Sequence, residues 1–443
     1  MSNKFRLSSG GEINRTERIS FKFNGKNLFG FKGDTLASAL LANGIHLVGR
    51  SFKYHRPRGF LSSGSEEPNA IVQILKDKSR TEPNIRATQI EIFEGFEAKS
   101  QNCWPSVNFD IGEINSLFSP IIPAGFYYKT FMWPANLWKK YEYFIRKSAG
   151  LGFSPTRRDP DLYDHKYYHC DVLIVGTGPA GLIAAKIAAN SGHKVLLVDE
   201  KSDHGGSLLG SNSKIINIDN KTPKEWVNKI YLELSENKNI QILNRTSVAA
   251  YHNYNYLIMM QNLTDHLNEN DKKNKIRQRL WKVRAKKVIL ATGAIERTMI
   301  FDCNDKPGIM LSSAVKKYLN HYAVKCGNNA VIFTNNDDAY ETALSLHDKG
   351  VRVNTIIDIR DQSNGYLVKK CIDLGIKIMW KHTVVAAGGY KKVNKVFIMK
   401  LSDNNNSVVG DKIKIDCDLM CISGGYTPAV HLFTQSGGKL SFN

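Results

Sequence analysis

The residues best suited to chemistry lie in the segment CDVLIVGTGPAGLIAAKIAANSGHKVLLVDEK, residues 170–201. A run of apolar residues, which predicts a buried strand, leads into a turn and then into an alanine-rich helix. The turn is made by the small residues Gly176, Gly178, Pro179, Ala180 and Gly181. Glycines at this spacing permit a tight turn, close approach of a ligand to the backbone and close packing of helix on strand. The helix N-terminus adds amide donors and a positive dipole end, so the segment predicts a pyrophosphate site.

Two carboxylates follow the next predicted strand. Asp199 and Glu200 lie where a dinucleotide-binding fold places the acid that accepts hydrogen bonds from ribose hydroxyls. The alternation of Val195 and Leu197 favours Asp199 as the better-placed carboxylate, with Glu200 next to it. An acid at this place disfavours the 2′-phosphate of NADP, so NAD or FAD is the predicted ligand. A glycine turn that binds nothing is the alternative.

A second turn made of small residues occurs in KKVILATGAIERTMIF, residues 286–301. Thr292 and Gly293 belong to an Ala-Thr-Gly sequence, which after a strand is typical of flavoproteins that contain two dinucleotide folds. Such a turn marks the crossing into an inserted domain. We therefore predict a first dinucleotide-binding domain over 169–301, completed by 413–443, and an inserted second βαβ domain over 302–412.

The insert repeats the strand–turn–helix–strand plan in VIFTNNDDAYETALSLHDKGVRV, residues 331–353. Its turn has Asn335, Asn336, Asp337 and Asp338 where a phosphate-binding turn would have glycines. Asp337 and Asp338 would oppose a pyrophosphate and are better suited to serve as the N-cap and first-turn acids of the following helix. The sequence therefore predicts a degenerate phosphate loop here and a single dinucleotide per chain, in the first fold.

The N-terminal region, residues 15–97, alternates apolar and polar residues around Asn24-Gly25, a hairpin signal, and continues with a short helix and further strands. This order resembles the β-grasp domain of plant-type ferredoxins. The loop that would hold an iron–sulfur cluster, HLVGRSFKYHRPRGFLSSGSEEPN, contains no cysteine. We predict a β-grasp domain without a cluster, whose basic and aromatic loop is an interaction surface. The overall class is then α/β, with a Rossmann-like core of two dinucleotide-binding domains preceded by this domain.

Residues 98–168 form an aromatic-rich connecting segment with little regular periodicity. Its large side chains include Trp104, Phe126, Tyr127, Tyr128, Phe131, Trp133 and Trp138. Aromatic side chains in a long connection need a surface to bury against, either on this chain or on a partner, and the sequence leaves both open.

The sequence DHKYYHC brings His165, His169 and Cys170 close together. A zinc site needs three or four ligands, and no matching group occurs elsewhere, so no metal site is predicted.

The formal net charge of +20 is spread along the chain without a recognition motif, which does not favour nucleic acid as a partner. No apolar run reaches the roughly 20 residues needed to span a bilayer, so no membrane partner is predicted. The N-terminus has no apolar region typical of a secretory signal. With seven scattered cysteines, the sequence indicates a reducing, cytoplasmic location.

Several sequence segments, distributed along nearly the whole chain, resemble the α subunit of heterotetrameric sarcosine oxidase. The matching segments are GDTLASALLANGIHLVGRSFKYHRPRG, EEPNA, PAGFYYKTFMWP, CDVLIVGTGPAGLIAA, VLLVDE, ATGAIER and SGGYTPAVHLFTQSGGKL. The α subunits of proline, octopine and cyanide-forming amine dehydrogenases share the two-dinucleotide core, so an FAD-dependent amine or imino-acid dehydrogenase subunit is the alternative. A non-catalytic fragment is a further alternative.

The resemblance implies a subunit of an enzyme that oxidatively demethylates sarcosine to glycine, passes the methylene carbon to tetrahydrofolate and forms hydrogen peroxide. It implies FAD and FMN on or shared with a partner subunit, and β, γ and δ subunits as partners. It also implies a tightly held NAD without a redox role, no catalytic residue on this chain and no activity of the chain alone. The NAD contacts that the resemblance implies begin with the turn 176–181 and with Asp199, Glu200 and Lys201. The other residues assigned to the NAD site are Gly206 and Ser207 in the following loop, Val248 beside the adenine, Thr292 and Gly293, and Ser423 and Gly424, which would close the site.

The family's chains continue well past the matching region. We therefore expect that Asn443 is not the natural end of a complete α subunit. The tetrahydrofolate-binding domain is expected in the part beyond it.

Overall fold

The computed structural model describes residues 3–122, 125 and 133–442. The chain divides into two compact units. One, here called the N-terminal unit, comprises residues 1–159 and 298–423. The other, here called the glycine-turn unit, comprises residues 160–297 and 424–443.

The N-terminal unit begins with a five-stranded mixed sheet in the order β2-β1-β7-β5-β6. Its elements are β1 (Asn14–Phe23), β2 (Lys26–Lys32), α1 (Leu36–Ala42), β3 (Gly49–Arg50), β4 (Pro57–Arg58), β5 (Ile71–Ile74), β6 (Glu82–Arg86) and β7 (Phe96–Ser100). Asn24 and Gly25 form the hairpin turn with φ of 52° and 74°, a conformation that suits asparagine and glycine. Thr35 caps α1 by accepting a hydrogen bond from the Ser38 amide at 3.2 Å. All seven residues of α1 are buried, as expected for a helix enclosed by a β-grasp sheet.

Among its described residues, the connecting segment includes the 3₁₀ turns Ile111–Ser116 and Ala135–Leu137 and the helix α2 (Trp138–Ala149). None of the residues described in α2 is buried. Trp104 and Trp133 are 67% and 83% exposed. The predicted aromatic residues Phe126, Tyr127, Tyr128 and Phe131 lie outside the described residues.

The glycine-turn unit contains a six-stranded sheet in the order β10-β9-β8-β13-β12-β11. Its elements before the crossing are β8 (Leu162–Val175), α3 (Pro179–Asn190), β9 (Val195–Val198), a 3₁₀ turn (Gly206–Gly210), α4 (Pro223–Ser235), β10 (Ile240–Leu243), β11 (Thr246–His252), β12 (Tyr256–Asn262), α5 (Glu269–Lys272), β13 (Ile276–Leu290) and β14 (Ala294–Glu296). Strands β10, β9, β8 and β13 are parallel, and β13, β12 and β11 form an antiparallel meander. The helices α3 and α4 cover a core that includes Ile174, Leu182, Leu197 and Ile230.

After the crossing the chain rejoins the N-terminal unit. The elements there are β15 (Ile309–Leu311), α6 (Ser312–Asn320), β16 (Asn329–Thr334), α7 (Asp338–Asp348), β17 (Arg352–Asp358), α8 (Tyr366–Asp373), β18 (Ile378–Trp380), β19 (His382–Gly388), β20 (Lys395–Leu401), β21 (Val408–Asp416) and β22 (Leu419–Ser423). A parallel sheet has the order β15-β22-β16-β17-β18, and β19, β20 and β21 form a separate antiparallel sheet. The glycine-turn unit then resumes with β23 (Tyr426–Pro428), which pairs with β14, and α9 (His431–Gln435).

The predicted boundaries of the insert, residues 302–412, differ from the observed limits of 298–423. The segment added on the C-terminal side contains the end of β21 and the whole of β22, which lies between β15 and β16. All five residues of β22 are buried, as a central strand of a parallel sheet requires. The apolar run LMCIS predicts a buried strand but does not indicate which of two parallel sheets it joins.

The β-grasp sheet and the inserted βαβ region share one compact unit. The Leu7 amide donates to the Ala323 carbonyl at 2.8 Å. The Leu311 amide donates to the Leu61 carbonyl at 2.8 Å, and the Tyr318 hydroxyl donates to the Ser62 carbonyl at 2.9 Å. Part of the loop predicted as an interaction surface therefore binds this chain's own insert. Among the helices of the described residues, none is long and apolar enough to cross a membrane.

Candidate functional site

The turn after β8 depends on two glycines. Gly176 has a φ of +105°, and a Cβ at this position would collide with the carbonyl oxygen of Ala291. A Cβ at Gly181, in the first turn of α3, would collide with the carbonyl oxygen of Gly176. The helix therefore packs directly on the turn, which is the close approach predicted from the sequence.

Gly178 differs from these two glycines, because its φ of −65° suits any residue. A Cβ built at Gly178 would have no neighbouring atom of the described chain within 4 Å. It is the N-cap of α3, and no side chain caps this helix end. The amides of the first turn therefore adjoin open space, which suits an anionic ligand group such as a pyrophosphate.

Asp199 braces the glycine turn. Its Oδ2 accepts hydrogen bonds from the Thr177 amide at 2.7 Å and from the Thr177 hydroxyl at 2.6 Å. Its Oδ1 accepts from the Lys201 amide at 2.9 Å. Glu200, the next residue, is exposed. Asp199 therefore holds the turn in place, a role that the sequence reasoning missed, while the ribose contact predicted for both acids stays a prediction.

The loop after β9 returns to the glycine turn. The Gly205 amide, at a residue with φ +117°, donates to the Thr177 carbonyl at 2.9 Å. A Cβ at Gly206 would lie 2.8 Å from Gly178 Cα. Gly206 thus lies against the residue that adjoins the open space, and Ser207 follows it in the 3₁₀ turn. This proximity supports the predicted contacts from the loop.

Val248 lies further along the predicted site, on β11, where it pairs with Met259. It is half-buried and packs against a core that includes residues of β8, β12 and β13. The adenine contact expected of Val248 stays a prediction.

The Ala-Thr-Gly segment lies beside the same turn. The Ala291 amide donates to the Val175 carbonyl at 2.8 Å. The Thr292 hydroxyl donates to the Ala429 carbonyl at 2.8 Å, and the Ala429 amide donates to the Gly293 carbonyl at 3.0 Å. The returning chain is therefore hydrogen-bonded to this segment at Ala429.

Gly424 and Ser423 are adjacent in sequence but belong to different compact units. The Gly424 amide donates to the Arg297 carbonyl at 2.9 Å, within the glycine-turn unit. Ser423 is fully buried in the N-terminal unit, and its hydroxyl accepts a hydrogen bond from Asn336 Nδ2 at 3.0 Å. Ser423 therefore stabilises the sheet of the insert. Its contact with the nucleotide stays a prediction.

The N-terminus of α7, which follows the turn of the insert, is capped by a different residue from the one predicted. The N-cap residue Asp337 makes no capping hydrogen bond. Asn336 Oδ1 instead accepts from the Asp338 amide at 3.1 Å. Arg360 Nη2 lies 2.7 Å from an oxygen of Asp337 and 2.7 Å from an oxygen of Asp358. The capping role expected of Asp337 is wrong, because its carboxylate pairs with the guanidinium of Arg360.

Asp338 is a first-turn acid, as predicted, and it pairs with a buried cation. Lys316 Nζ lies 3.3 Å from Asp338 and 2.6 Å from Glu341. Burial acts to lower the pKa of Lys316, but the two carboxylates outweigh it and the pKa is raised. The acids of this turn are thus neutralised within the chain, which does not favour a phosphate ligand there.

The loop of the β-grasp domain is held by polar side chains. Arg50 is fully buried and donates from Nε to the Val107 carbonyl at 2.9 Å and from Nη1 to the His55 carbonyl at 3.0 Å. His55 Nδ1 lies 2.7 Å from Asp110 Oδ2. An iron–sulfur cluster needs several thiolate or imidazole ligands, whereas residues 16–103 contain one cysteine, Cys103. These residues do not suit such a cluster.

His165 and His169 are exposed on one face of β8, whereas Cys170 is buried on the other, since side chains alternate along a strand. The described residues include no group of three or more His, Cys, Asp or Glu side chains able to hold a metal ion.

Two family models match the chain. The model described as pyridine nucleotide-disulphide oxidoreductase matches residues 170–442. The model described as 2Fe-2S iron-sulfur cluster binding domain matches residues 16–103. Together they confirm the predicted fold class, a dinucleotide-binding core preceded by a ferredoxin-like domain.

Curated relatives match over nearly the full length of this chain. It is 42% identical to the sarcosine oxidase subunit alpha of Rhizobium meliloti, over 99% of this chain and 43% of the relative. It is 32% identical to the sarcosine oxidase subunit alpha of Corynebacterium sp., over 100% of this chain and 41% of the relative. The predicted resemblance is confirmed, and the chain spans about two fifths of the length of these relatives.

A solved structure, L-proline dehydrogenase from P. horikoshii, superposes on the whole chain and on 66% of its own chain. The TM-score is 0.62 and the sequence identity is 21%. This likeness shows the fold alone.

Proposed function

Because the chain belongs to the pyridine nucleotide-disulphide oxidoreductase family, we propose that it is the NAD-binding part of the α subunit of a sarcosine oxidase. The family and the relatives support an oxidoreductase. The reaction proposed for the whole enzyme is oxidative demethylation of sarcosine to glycine, with hydrogen peroxide formed and the methylene carbon passed to tetrahydrofolate.

The observation that carries the NAD proposal is the open space at Gly178, beside a turn that hydrogen bonds from Thr177 to Asp199 and from Gly205 to Thr177 hold in place. In this proposal the amides at the start of α3 bind the pyrophosphate. Glu200 and the remaining lone pairs of Asp199 accept hydrogen bonds from the adenosine ribose. Ser207 and Gly206 contact the nucleotide from the loop, and Thr292, Gly293 and Gly424 border the site.

NAD supplies a nicotinamide ring that can carry a hydride, but in this proposal it is held tightly and takes no part in turnover. The flavins FAD and FMN belong to, or are shared with, a partner subunit. No residue of this chain is assigned a catalytic role. The β, γ and δ subunits are the proposed partners, and the proposal expects no sarcosine oxidation by this chain alone.

Extraction of small molecules from the purified chain tests the proposal. Release of NAD supports it. Release of FAD without NAD would instead support an FAD-dependent amine or imino-acid dehydrogenase subunit. A chain that folds, holds no nucleotide and binds none on titration would be a non-catalytic fragment.

A further inference from the structure

One side of the antiparallel meander in the glycine-turn unit is uncovered. Side chains alternate between the two sides of a strand, and the side that holds Leu257, Met259 and Val283 is buried. The opposite side is here called the meander face and is defined by Tyr167 and His169 of β8, Lys282 and Arg284 of β13, and Tyr256 and Met260 of β12. Tyr167 is 67% exposed and Met260 is 37% exposed. The meander therefore packs on the core with one side only.

The pairing register brings the side chains of the meander face together. Lys282 lies opposite Tyr167, and Arg284 lies between His169 and Tyr256. Lys282 Nζ donates to the Tyr167 hydroxyl at 3.2 Å and lies 5.0 Å from the centroid of its ring. The guanidinium of Arg284 lies 5.4 Å from the centroid of the Tyr256 ring. Both cations therefore lie against aromatic rings, which hold them in place.

The charges of the meander face are of one sign. None of its six residues is acidic, and among the described residues neither Lys282 nor Arg284 has a carboxylate within ion-pair distance. The acid that follows along β8, Asp171, is paired with Lys286 at 2.7 Å. A partner that covered the face without carboxylates of its own would bury two unpaired cations, which is strongly unfavourable. The face therefore complements an acidic surface.

The edge of the sheet beside the meander face is also uncovered. Strand β9 pairs with β8 over Val172–Val175, and no strand of the described residues pairs with that side of residues 162–169. An open strand edge presents backbone N–H and C=O groups, with which a strand of another polypeptide can pair. The edge therefore favours a protein as the occupant.

Charge decides against other occupants. A second copy docked through the same face would bring cations against cations, which opposes the contact. A nucleic acid is disfavoured, because two permanent cations neutralise about two phosphates, against roughly six to ten in a typical complex. Tyrosine, methionine and arginine are instead residues that are enriched at interfaces between proteins. The observations favour a protein partner with carboxylates on its surface.

We propose that the meander face binds an acidic, partly apolar surface of a partner subunit. This inference rests on the proposed function, which supplies the partner subunits. The carboxylates of the partner pair with Lys282 and Arg284, while Tyr167, Tyr256 and Met260 supply apolar contact area.

Binding of the purified β, γ and δ subunits to the full chain, each measured separately by surface plasmon resonance, tests the proposal. The double variant Lys282→Glu, Arg284→Glu places acids against an acidic partner. Its affinity for the subunit that the unaltered chain binds should therefore fall at least about thirtyfold. The double variant Lys282→Arg, Arg284→Lys keeps both charges and should bind within about fivefold of the unaltered chain. The affinity of the unaltered chain should also fall as salt is added, because salt screens exposed charges.

Two controls separate the contact from a general effect of charge or folding. The double variant Arg352→Glu, Lys412→Glu reverses two exposed cations of the N-terminal unit and should change subunit binding by less than about twofold. The melting temperature of each variant shows whether it folds. Chemical labelling tests the surface without any substitution: in the complex, His169 should be protected from diethyl pyrocarbonate, whereas the exposed His347 should stay reactive.

Unaltered subunit binding by the variant with two glutamates, or a reactive His169 in the complex, would overturn the inference while leaving the proposed function intact. Self-association of the chain, or binding of single-stranded RNA, that this variant loses while it keeps subunit binding would assign the face to another occupant and overturn the inference as well. Failure of the unaltered chain to bind any of the three subunits would contradict the proposed function itself.

Discussion

Thr177 donates two hydrogen bonds to a single carboxylate oxygen of Asp199, at 2.7 Å from its amide and 2.6 Å from its hydroxyl. Thr177 is the residue between the first two glycines of the turn, and it is fully buried. The acid at the end of β9 therefore fixes the shape of the turn before any ligand binds. This preorganisation lowers the conformational cost of binding a nucleotide.

Thr177→Val removes the hydroxyl with little change of shape. It leaves Asp199 Oδ2 with one donor in place of two, so we expect the free energy of unfolding to fall by about 1–3 kcal/mol. Nucleotide affinity should fall as well, since the turn is less well held. Denaturant unfolding and calorimetry measure the two effects. The control Thr383→Val, at a half-buried threonine on β19, should change nucleotide affinity by less than about twofold. An unchanged affinity in Thr177→Val would contradict the bracing role.

Gly178→Ala should weaken nucleotide binding, whereas Gly181→Ala should lower the stability of the empty protein. At Gly178 the φ of −65° accepts alanine and no chain atom lies within 4 Å of the added Cβ. The empty protein should therefore keep its melting temperature but bind the nucleotide at least about tenfold more weakly, because the methyl group enters the ligand's space. At Gly181 the Cβ collides with the Gly176 carbonyl, so the empty protein itself should be destabilised by about 2 kcal/mol or more. Thermal melts with and without NAD distinguish these outcomes. Equal losses of stability in the two variants would show that Gly178 does not adjoin ligand space.

Arg360→Ala should destabilise the N-terminal unit without releasing nucleotide. The substitution removes the cation from Asp358, which is fully buried, and from Asp337. Because Arg360 is partly exposed and the Tyr340 hydroxyl still donates to Asp358, the expected cost is about 1–3 kcal/mol. Arg146→Ala, which breaks an exposed pair with Glu142, is the control and should cost less than about 0.5 kcal/mol. Denaturant unfolding gives both values. Loss of bound NAD on Arg360→Ala in a folded chain would place a nucleotide in the insert.

His46 should make stability depend on pH. Burial, together with Lys392, lowers the pKa of His46 to about 3, from an ordinary value near 6.5. Between these values the unfolded chain binds a proton that the folded chain does not, so stability falls as pH decreases through this window. The expected contribution is up to about 1.4 kcal/mol per pH unit. Unfolding free energies measured at pH 7 and pH 5.5 should differ less in His46→Leu than in the unaltered chain. Identical pH dependence in both chains would refute a buried, neutral His46.

The glycine turn and its strands could be predicted because the glycines and the flanking apolar runs obey local rules. Gly176 needs a positive φ, and the apolar runs on both sides give the buried strands. The Ala-Thr-Gly crossing could be predicted for the same reason. The assignment of Leu419–Ser423 to the insert could not, because both sheets of the core accept an apolar parallel strand.

The sequence did not predict the side-chain contacts that hold the glycine turn, nor the buried side chain without a hydrogen-bond partner among the described residues. Thr177 occupies a variable position of the glycine pattern, so its type carries no signal there. His204 is one histidine in a polar loop, and no local pattern predicts that both its ring nitrogens are buried without a partner among the described residues. Asp337 was expected to cap α7, but Arg360, more than twenty residues away in sequence, competes for its carboxylate.

The nucleotide content of the purified full chain tests the central claim most directly. Acid extracts of the unaltered chain, of Gly178→Leu and of Asp337→Ala are analysed by chromatography and mass spectrometry. The account predicts about one NAD per chain in the unaltered chain and in Asp337→Ala, and none in Gly178→Leu, because one dinucleotide fold carries the phosphate-binding turn. Flavin in place of NAD, or loss of NAD with Asp337→Ala and its retention with Gly178→Leu, would contradict it.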